Sequence, residues 1–162
     1  MSNDVAHKRG WQIFEFVFGI PFLLAFLLQR VLPISFPREF LMRVIFLLTG
    51  ALLIVVGVSL VVLARREFAR YGQPTDPGFP TGKIITTGVF SVSRNPLYLG
   101  GILFLAGISL ALNLGWVLIL LIPSVIACHY ILIVPEENYL LARFGEQYQA
   151  YAAAVHRWIG RK

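Results

Sequence analysis

The chain has 162 residues, 57% of them hydrophobic and 14% charged, with a mean hydropathy of +0.75. An ordinary soluble domain of this size exposes too much surface to be so apolar, so the composition excludes that class. The formal charge of +6 would suggest nucleic acid in a soluble protein. Here the basic residues cluster between apolar runs, which is the pattern of membrane topology and anionic-lipid contact, and no nucleic-acid partner is expected.

A basic start (His7, Lys8, Arg9) leads into a first apolar segment, residues 11–32, interrupted only by Glu15 and Pro21. It is long and has no small-x-small cleavage site, so an uncleaved membrane helix is expected rather than a signal peptide. Glu15 is read most simply as an interfacial residue, with a place in the lining of a cavity left open. The second segment, residues 44–64 (VIFLLTGALLIVVGVSLVVLA), is uncharged and matches the roughly 20 residues a helix needs to cross the hydrocarbon core.

Residues 65–95 are expected to form a cytoplasmic loop. Its stretch YGQPTDPGFPTGKIITTG is rich in Pro and Gly and so irregular, with at most a brief extended piece at Lys83–Ile85. Between Asn95 and Pro135 only His129 can carry a charge. That run is too long for one span and breaks at Asn113-Leu114-Gly115, predicting a hairpin of helices over 96–112 and 116–144. Backbone groups in lipid must bond internally, so helices are the only sensible assignment. The last helix is expected to stop at Gly145, and an amphipathic helix to resume over 146–156.

The expected fold is all-α. It is a single-domain polytopic membrane protein with about four transmembrane helices, a C-terminal helical hairpin and a cytoplasmic C-terminal amphipathic segment, 145–162. Of the 14 Lys and Arg residues, only Arg30, Arg38 and Arg43 fall at the end of the first hairpin. The others lie in the tails and central loop, which places both termini in the cytoplasm, most simply of the cell's inner or plasma membrane.

Two stretches carry chemistry. Arg94-Asn95-Pro96 stands at the mouth of the third helix. Asn is a preferred N-cap and Pro suits the first helical position, so one reading is a well-made helix start with Arg94 as an interface anchor. The other uses the same features to bind an anion, with free amides and the positive dipole end beside an arginine that can grip a carboxylate. Glu136 and Glu137 lie near the cytoplasmic end of the fourth helix. Adjacent helical positions point about 100° apart, so the two carboxylates cannot share one solvent face. Glu137 shares a stripe with Leu141, Phe144 and Tyr148 and suits a ligand's hydroxyl or ammonium groups near aromatic faces. Tyr148, Tyr151, Val155 and Trp158 form an apolar stripe at helical spacing, suited to packing on the membrane surface or the hairpin. Cys128 and His129 have no second His or Cys at ligand spacing, so no metal is expected. No P-loop, Gly-x-Gly-x-x-Gly or serine triad is present.

Two signatures cover roughly the second half of the chain. One is Gly88-x-Phe90-x-x-x-Arg94-Asn95-Pro96-x-Tyr98-x-Gly100. The other begins Glu136-Glu137-x-x-Leu140 and continues through Phe144-Gly145, Tyr148, Tyr151 and Val155 to Arg157. In this order, flanking a hairpin, they resemble the isoprenylcysteine carboxyl methyltransferase and phospholipid N-methyltransferase superfamily of integral-membrane enzymes. The resemblance implies S-adenosylmethionine bound on the cytoplasmic side and a lipophilic or lipidated substrate arriving laterally from the bilayer, with a carboxylate, amine or thiol acceptor. It also implies cofactor-binding roles for Arg94, Asn95, Pro96, Tyr98, Glu136, Glu137, Tyr148, Tyr151 and Arg157, with Asn95 and Tyr98 positioning the reacting centre. Many members have His at the position of Asn95, and prolines around the position of His156, where this chain has neither. Two alternatives stay open: an NADPH-dependent enzyme like the membrane sterol reductases, and a non-catalytic lipid-binding module. Oligomeric state is not readable from the sequence.

Overall fold

The computed structural model describes residues 14–37, 39–74 and 81–162; the basic start, the first three residues of the expected first helix, Arg38 and the middle of the Pro/Gly-rich loop lie outside them. Among the described residues the chain is helical, and its only bridge pairs Val155 with Arg161 in antiparallel fashion. A π-helical turn (Glu15–Gly19) runs into α1 (Ile20–Val31), followed by α2 (Phe40–Arg70) and a 3-10 turn (Gly88–Ser91). The hairpin consists of α3 (Pro96–Leu112) and α4 (Gly115–Ala127). A second π-helical turn (Cys128–Ile133) joins α4 to α5 (Val134–Phe144), and α6 (Glu146–Ala154) follows. Two helices are long and apolar enough to cross a membrane, α2 and the continuous rod Gly115–Phe144. The other two apolar helices are shorter, 12 residues in α1 and 17 in α3.

Some expectations need correction. Arg65, Arg66 and Arg70 belong to α2 and not to the loop. Hydrophobicity ends at Ala64, but Ala-Arg-Arg-Glu-Phe-Ala-Arg are all tolerated in a helix, and nothing stops the chain before Gly72, whose φ is +62°. The 31 residues of α2 therefore run about 46 Å, well beyond the roughly 30 Å hydrocarbon core. The loop is correspondingly shorter and has no strand at Lys83–Ile85. The final helix ends at Ala154 rather than His156; Val155 is extended (φ −127°, ψ 134°), so Trp158 does not continue the helical stripe. Gly145, at φ +52° and ψ −125°, turns the chain between α5 and α6, so Tyr148 leaves the stripe of Glu137.

Neither π-helical turn was expected. Each ends two residues before a proline, Pro21 or Pro135. Proline brings no N–H to the regular ladder, and the helix loosens just ahead of it. The two turns pack on each other, with Val17 and Phe18 of the first against Cys128, Leu132 and Ile133 of the second in one buried cluster.

Helices α2 and α3 pack antiparallel at near-backbone distance. A Cβ on Gly57 would stand 2.6 Å from the Gly100 carbonyl oxygen, and one on Gly107 would stand 2.6 Å from that of Gly50. Small residues allow this approach where lipid provides no hydrophobic drive between helices. α1 packs on α4. At one end of the molecule the 32–36 linker is fastened to the hairpin tip. Trp116 Nε1 donates to the Leu32 carbonyl at 2.6 Å, and Asn113 Oδ1 accepts from the Phe36 amide at 2.7 Å. Every candidate site residue lies toward the opposite end.

Candidate active site

The segment before α3 is held from several directions. Gly88 sits at φ +57° against the Glu67 carboxylate, which accepts from the Thr87 hydroxyl at 2.6 Å. The Tyr151 hydroxyl donates to the Phe90 carbonyl at 2.7 Å, and the Gly160 amide to the Val92 carbonyl at 2.7 Å. The Arg94 amide donates to the His156 carbonyl at 3.2 Å. Asn95 occupies the N-cap position of α3, but its side chain does not cap the helix. Its Nδ2 donates instead to the Arg157 carbonyl at 3.1 Å, and Pro96 opens the helix without an N–H to satisfy.

The carboxylates separate as adjacent helical positions must. Glu136 accepts from the Tyr98 hydroxyl at 3.1 Å. Glu137 takes both arginines: Arg157 Nε at 3.0 Å and Nη2 at 2.6 Å in a two-pronged pair, and Arg94 Nη1 at 3.2 Å. Arg94 Nη1 also donates to the Tyr148 hydroxyl at 3.2 Å. The hydrogen bond to Glu137 raises the Arg157 pKa above its usual value against the opposing effect of burial. Burial, reinforced by the charge of Glu137, pushes the Tyr148 phenol up to about 12. Burial and the neighbouring Tyr148 raise Tyr151 as well.

A cavity of about 720 Å³ lies at this end, within the roughly 300–1,000 Å³ range of small-molecule sites. Arg94, Asn95, Pro96, Tyr98 and Glu136 line it, whereas Glu137, Tyr148, Tyr151 and Arg157 stand behind that wall. The Arg94 side chain is only 10% exposed, yet its Nε has no hydrogen-bond partner among the described residues. A buried donor left unmade is costly, so this atom is suited to an anionic group entering the cavity.

The other walls went largely unread in the sequence. α2 contributes Val58, Val61, Val62, Arg65 and Phe68, and Phe14 and Glu15 come from the first π-helical turn and the residue before it. Glu15, a carboxylate inside an apolar run, was the one visible signal. The α2 residues look like ordinary lipid-facing positions until α3 is packed beside them. Among the described residues no cluster of His, Cys, Asp and Glu forms a metal site.

Residues 45–147, from α2 into the start of α6, match the family model for phospholipid methyltransferases. The chain belongs to the phospholipid methyltransferase family. Membership implies methyltransferase activity and a membrane lipid setting, and with the two long apolar helices it makes this phospholipid methyltransferase family member an integral membrane protein. The matched span includes all the cavity residues named above except Phe14 and Glu15. No curated protein and no solved structure matches the chain.

Proposed function

We propose that this protein transfers a methyl group from S-adenosylmethionine to a lipophilic acceptor that reaches the cavity from the bilayer. The observation that carries the reading is the cavity itself, with a half-buried polar end of Arg94, Asn95, Tyr98 and Glu136 and an apolar wall of Val58, Val61, Val62 and Phe104. The donor set fits the cofactor. The unpartnered Arg94 Nε would hold a carboxylate, the free amides at the start of α3 would support it, and Glu136 would accept from an ammonium or ribose hydroxyl. Tyr98 and Phe68 offer aromatic faces for adenine and a sulfonium.

When bound, S-adenosylmethionine supplies a methyl group activated by the positive charge on sulfur. The protein's own contribution is alignment and exclusion of water, effects worth about 7–11 kcal/mol together at best. Asn95 and Tyr98 orient the reacting groups, and Glu137 with Arg157 holds Arg94 in place from behind. α1 with its π-helical turn and α3 would complete four membrane crossings, with both termini and the central loop in the cytoplasm as the basic residues direct.

Calorimetric titration of detergent-purified protein with S-adenosylmethionine, S-adenosylhomocysteine and NADPH tests the reading. The two adenosyl ligands are expected to bind. Arg94→Ala should weaken them by about tenfold to a hundredfold, the effect of losing charged hydrogen bonds worth about 1.5–3 kcal/mol. Binding of NADPH alone would overturn the methyl-donor assignment, and unchanged affinity in Arg94→Ala would remove Arg94 from the site.

A further inference from the structure

After α6 the chain makes one more turn, and its root and tip differ in character. Val155 and Arg161 pair as an antiparallel bridge at the root, where the cations Arg161 and Lys162 are exposed. At the tip stand Trp158, Ile159 and Gly160. The carbonyls of His156, Arg157 and Gly160 accept from the Arg94 amide, Asn95 Nδ2 and the His156 amide, and the Gly160 amide donates to the Val92 carbonyl. Bonds made inward to the protein are what non-helical backbone needs wherever water is scarce.

The depth of the turn follows from what its tip touches. Trp158 packs against the buried cluster of the two π-helical turns, and Arg157 Nη1 lies 3.5 Å from His129 Nδ1. Counted from Gly115 at the far end of the rod Gly115–Phe144, the roughly 20 residues of a hydrocarbon crossing end near Pro135. His129 stands about 10 Å before Glu136 along that rod, inside the apolar span. The turn therefore reaches back past the first charged residues of the rod. Ile122, Ile126 and Tyr130 are exposed along the rod's outer face at i, i+4 and i+8. Ile159, next to Trp158, is 68% exposed. A single exposed isoleucine is unremarkable, but this one extends a lipid-facing surface at the level where that surface ends.

We propose that the C-terminal turn is an interfacial anchor. Its Trp158–Ile159 tip sits at the boundary of head groups and acyl chains, and Arg161 and Lys162 at its root pair with the phosphates of anionic lipids. Arg161 Nε donates to the Ser91 carbonyl at 3.3 Å and Lys162 Nζ to the Ala152 carbonyl at 3.0 Å. Each cation has further N–H groups to offer a phosphate. Tryptophan suits this depth because its ring is apolar and its N–H is not. A basic root above an apolar tip matches an anionic membrane surface in both charge and polarity. The bilayer thus holds from outside the same turn that fixes Arg94 and Asn95.

The test places a nitroxide on Ile159→Cys and, separately, on Ala150→Cys at the exposed face of α6, each in the full chain in lipid nanodiscs. Wild type, whose single cysteine is buried, should take up no label and serves as the blank. Collision with oxygen against a water-soluble nickel chelate measures depth. The label at 159 should favour oxygen, at a depth of about 5–10 Å, whereas the label at 150 should favour nickel. Adding phosphatidylglycerol to phosphatidylcholine discs should carry the label at 159 deeper. In a second measurement, Ile159→Asp should lower the melting temperature in discs by several degrees, and Ile159→Leu should leave it unchanged. Nickel access at 159 equal to that at 150 would overturn the anchor and leave the tip to a soluble partner. Equal depth with and without phosphatidylglycerol would remove the role of the basic root. A wild-type melting temperature in Ile159→Asp would show that lipid does not hold the turn.

Discussion

Glu137 accepts from two arginines that arrive from distant parts of the chain, Arg94 ahead of α3 and Arg157 after α6. Its carboxylate is 15% exposed, so removing one partner leaves charge uncompensated where water is scarce. Glu137→Gln and Arg157→Gln should each lower both the melting temperature and S-adenosylhomocysteine affinity. The double variant should be less impaired than the sum, with a coupling of about 0.5–3 kcal/mol. Additive effects would mean that the pair does not act as a unit. At this scale the sequence was partly readable. The sequence pointed to Arg94 and Glu137 as two groups that each grip a ligand, whereas the structure pairs them with each other and puts Glu136 on the cavity wall. That division depends on the rotation of α5 after the second π-helical turn, and a turn that adds a residue per repeat shifts every face beyond it. The side chain of Asn95 illustrates the same limit: an N-cap reading was reasonable, yet a carbonyl 62 residues further on takes the hydrogen bond.

Helix α3 is the element that joins fold to site. One of its faces touches the α2 backbone through Gly100 and Gly107, and another floors the cavity through Leu97, Gly101 and Phe104. Gly100→Val would drive side-chain atoms into the Gly57 carbonyl, which is backbone and cannot swing away. Overpacking of this kind typically costs about 1–3 kcal/mol, so the melting temperature in detergent should fall by several degrees, about 2–4 °C per kcal/mol at this chain length. A melting temperature equal to wild type would show that α2 and α3 separate freely. The helical nature of the chain, the break at Asn113–Gly115 and the stop at Gly145 could be read from hydropathy, glycine and proline alone. The ends of α2 could not, because a helix continues wherever the backbone permits, whereas hydropathy ends at the first arginine.

Across the whole molecule, one end is a structural clamp between the 32–36 linker and the hairpin tip, and the other holds every polar group of the cavity. Tyr148 and Tyr151 fasten α6 to that second end. Their folded pKa values lie above the ordinary phenol value of about 10, so the unfolded chain loses these protons first. The stability they contribute is present in full below about pH 10 and is lost as pH rises through the folded value, about 12 for Tyr148. Melting temperature should therefore drop steeply above pH 10 in the wild type and less steeply in a Tyr148→Phe, Tyr151→Phe double variant. Equal slopes would show that the phenols do not couple to folding. The C-terminal turn has a further consequence for how the protein is made. Residues 156, 157 and 160 supply or receive the bonds that fix Val92, Arg94 and Asn95, so a nascent chain with all its long apolar helices already inserted still lacks the support of its polar pocket. Ligand affinity should mature abruptly once residues 156–160 have emerged and docked, in a single step rather than helix by helix.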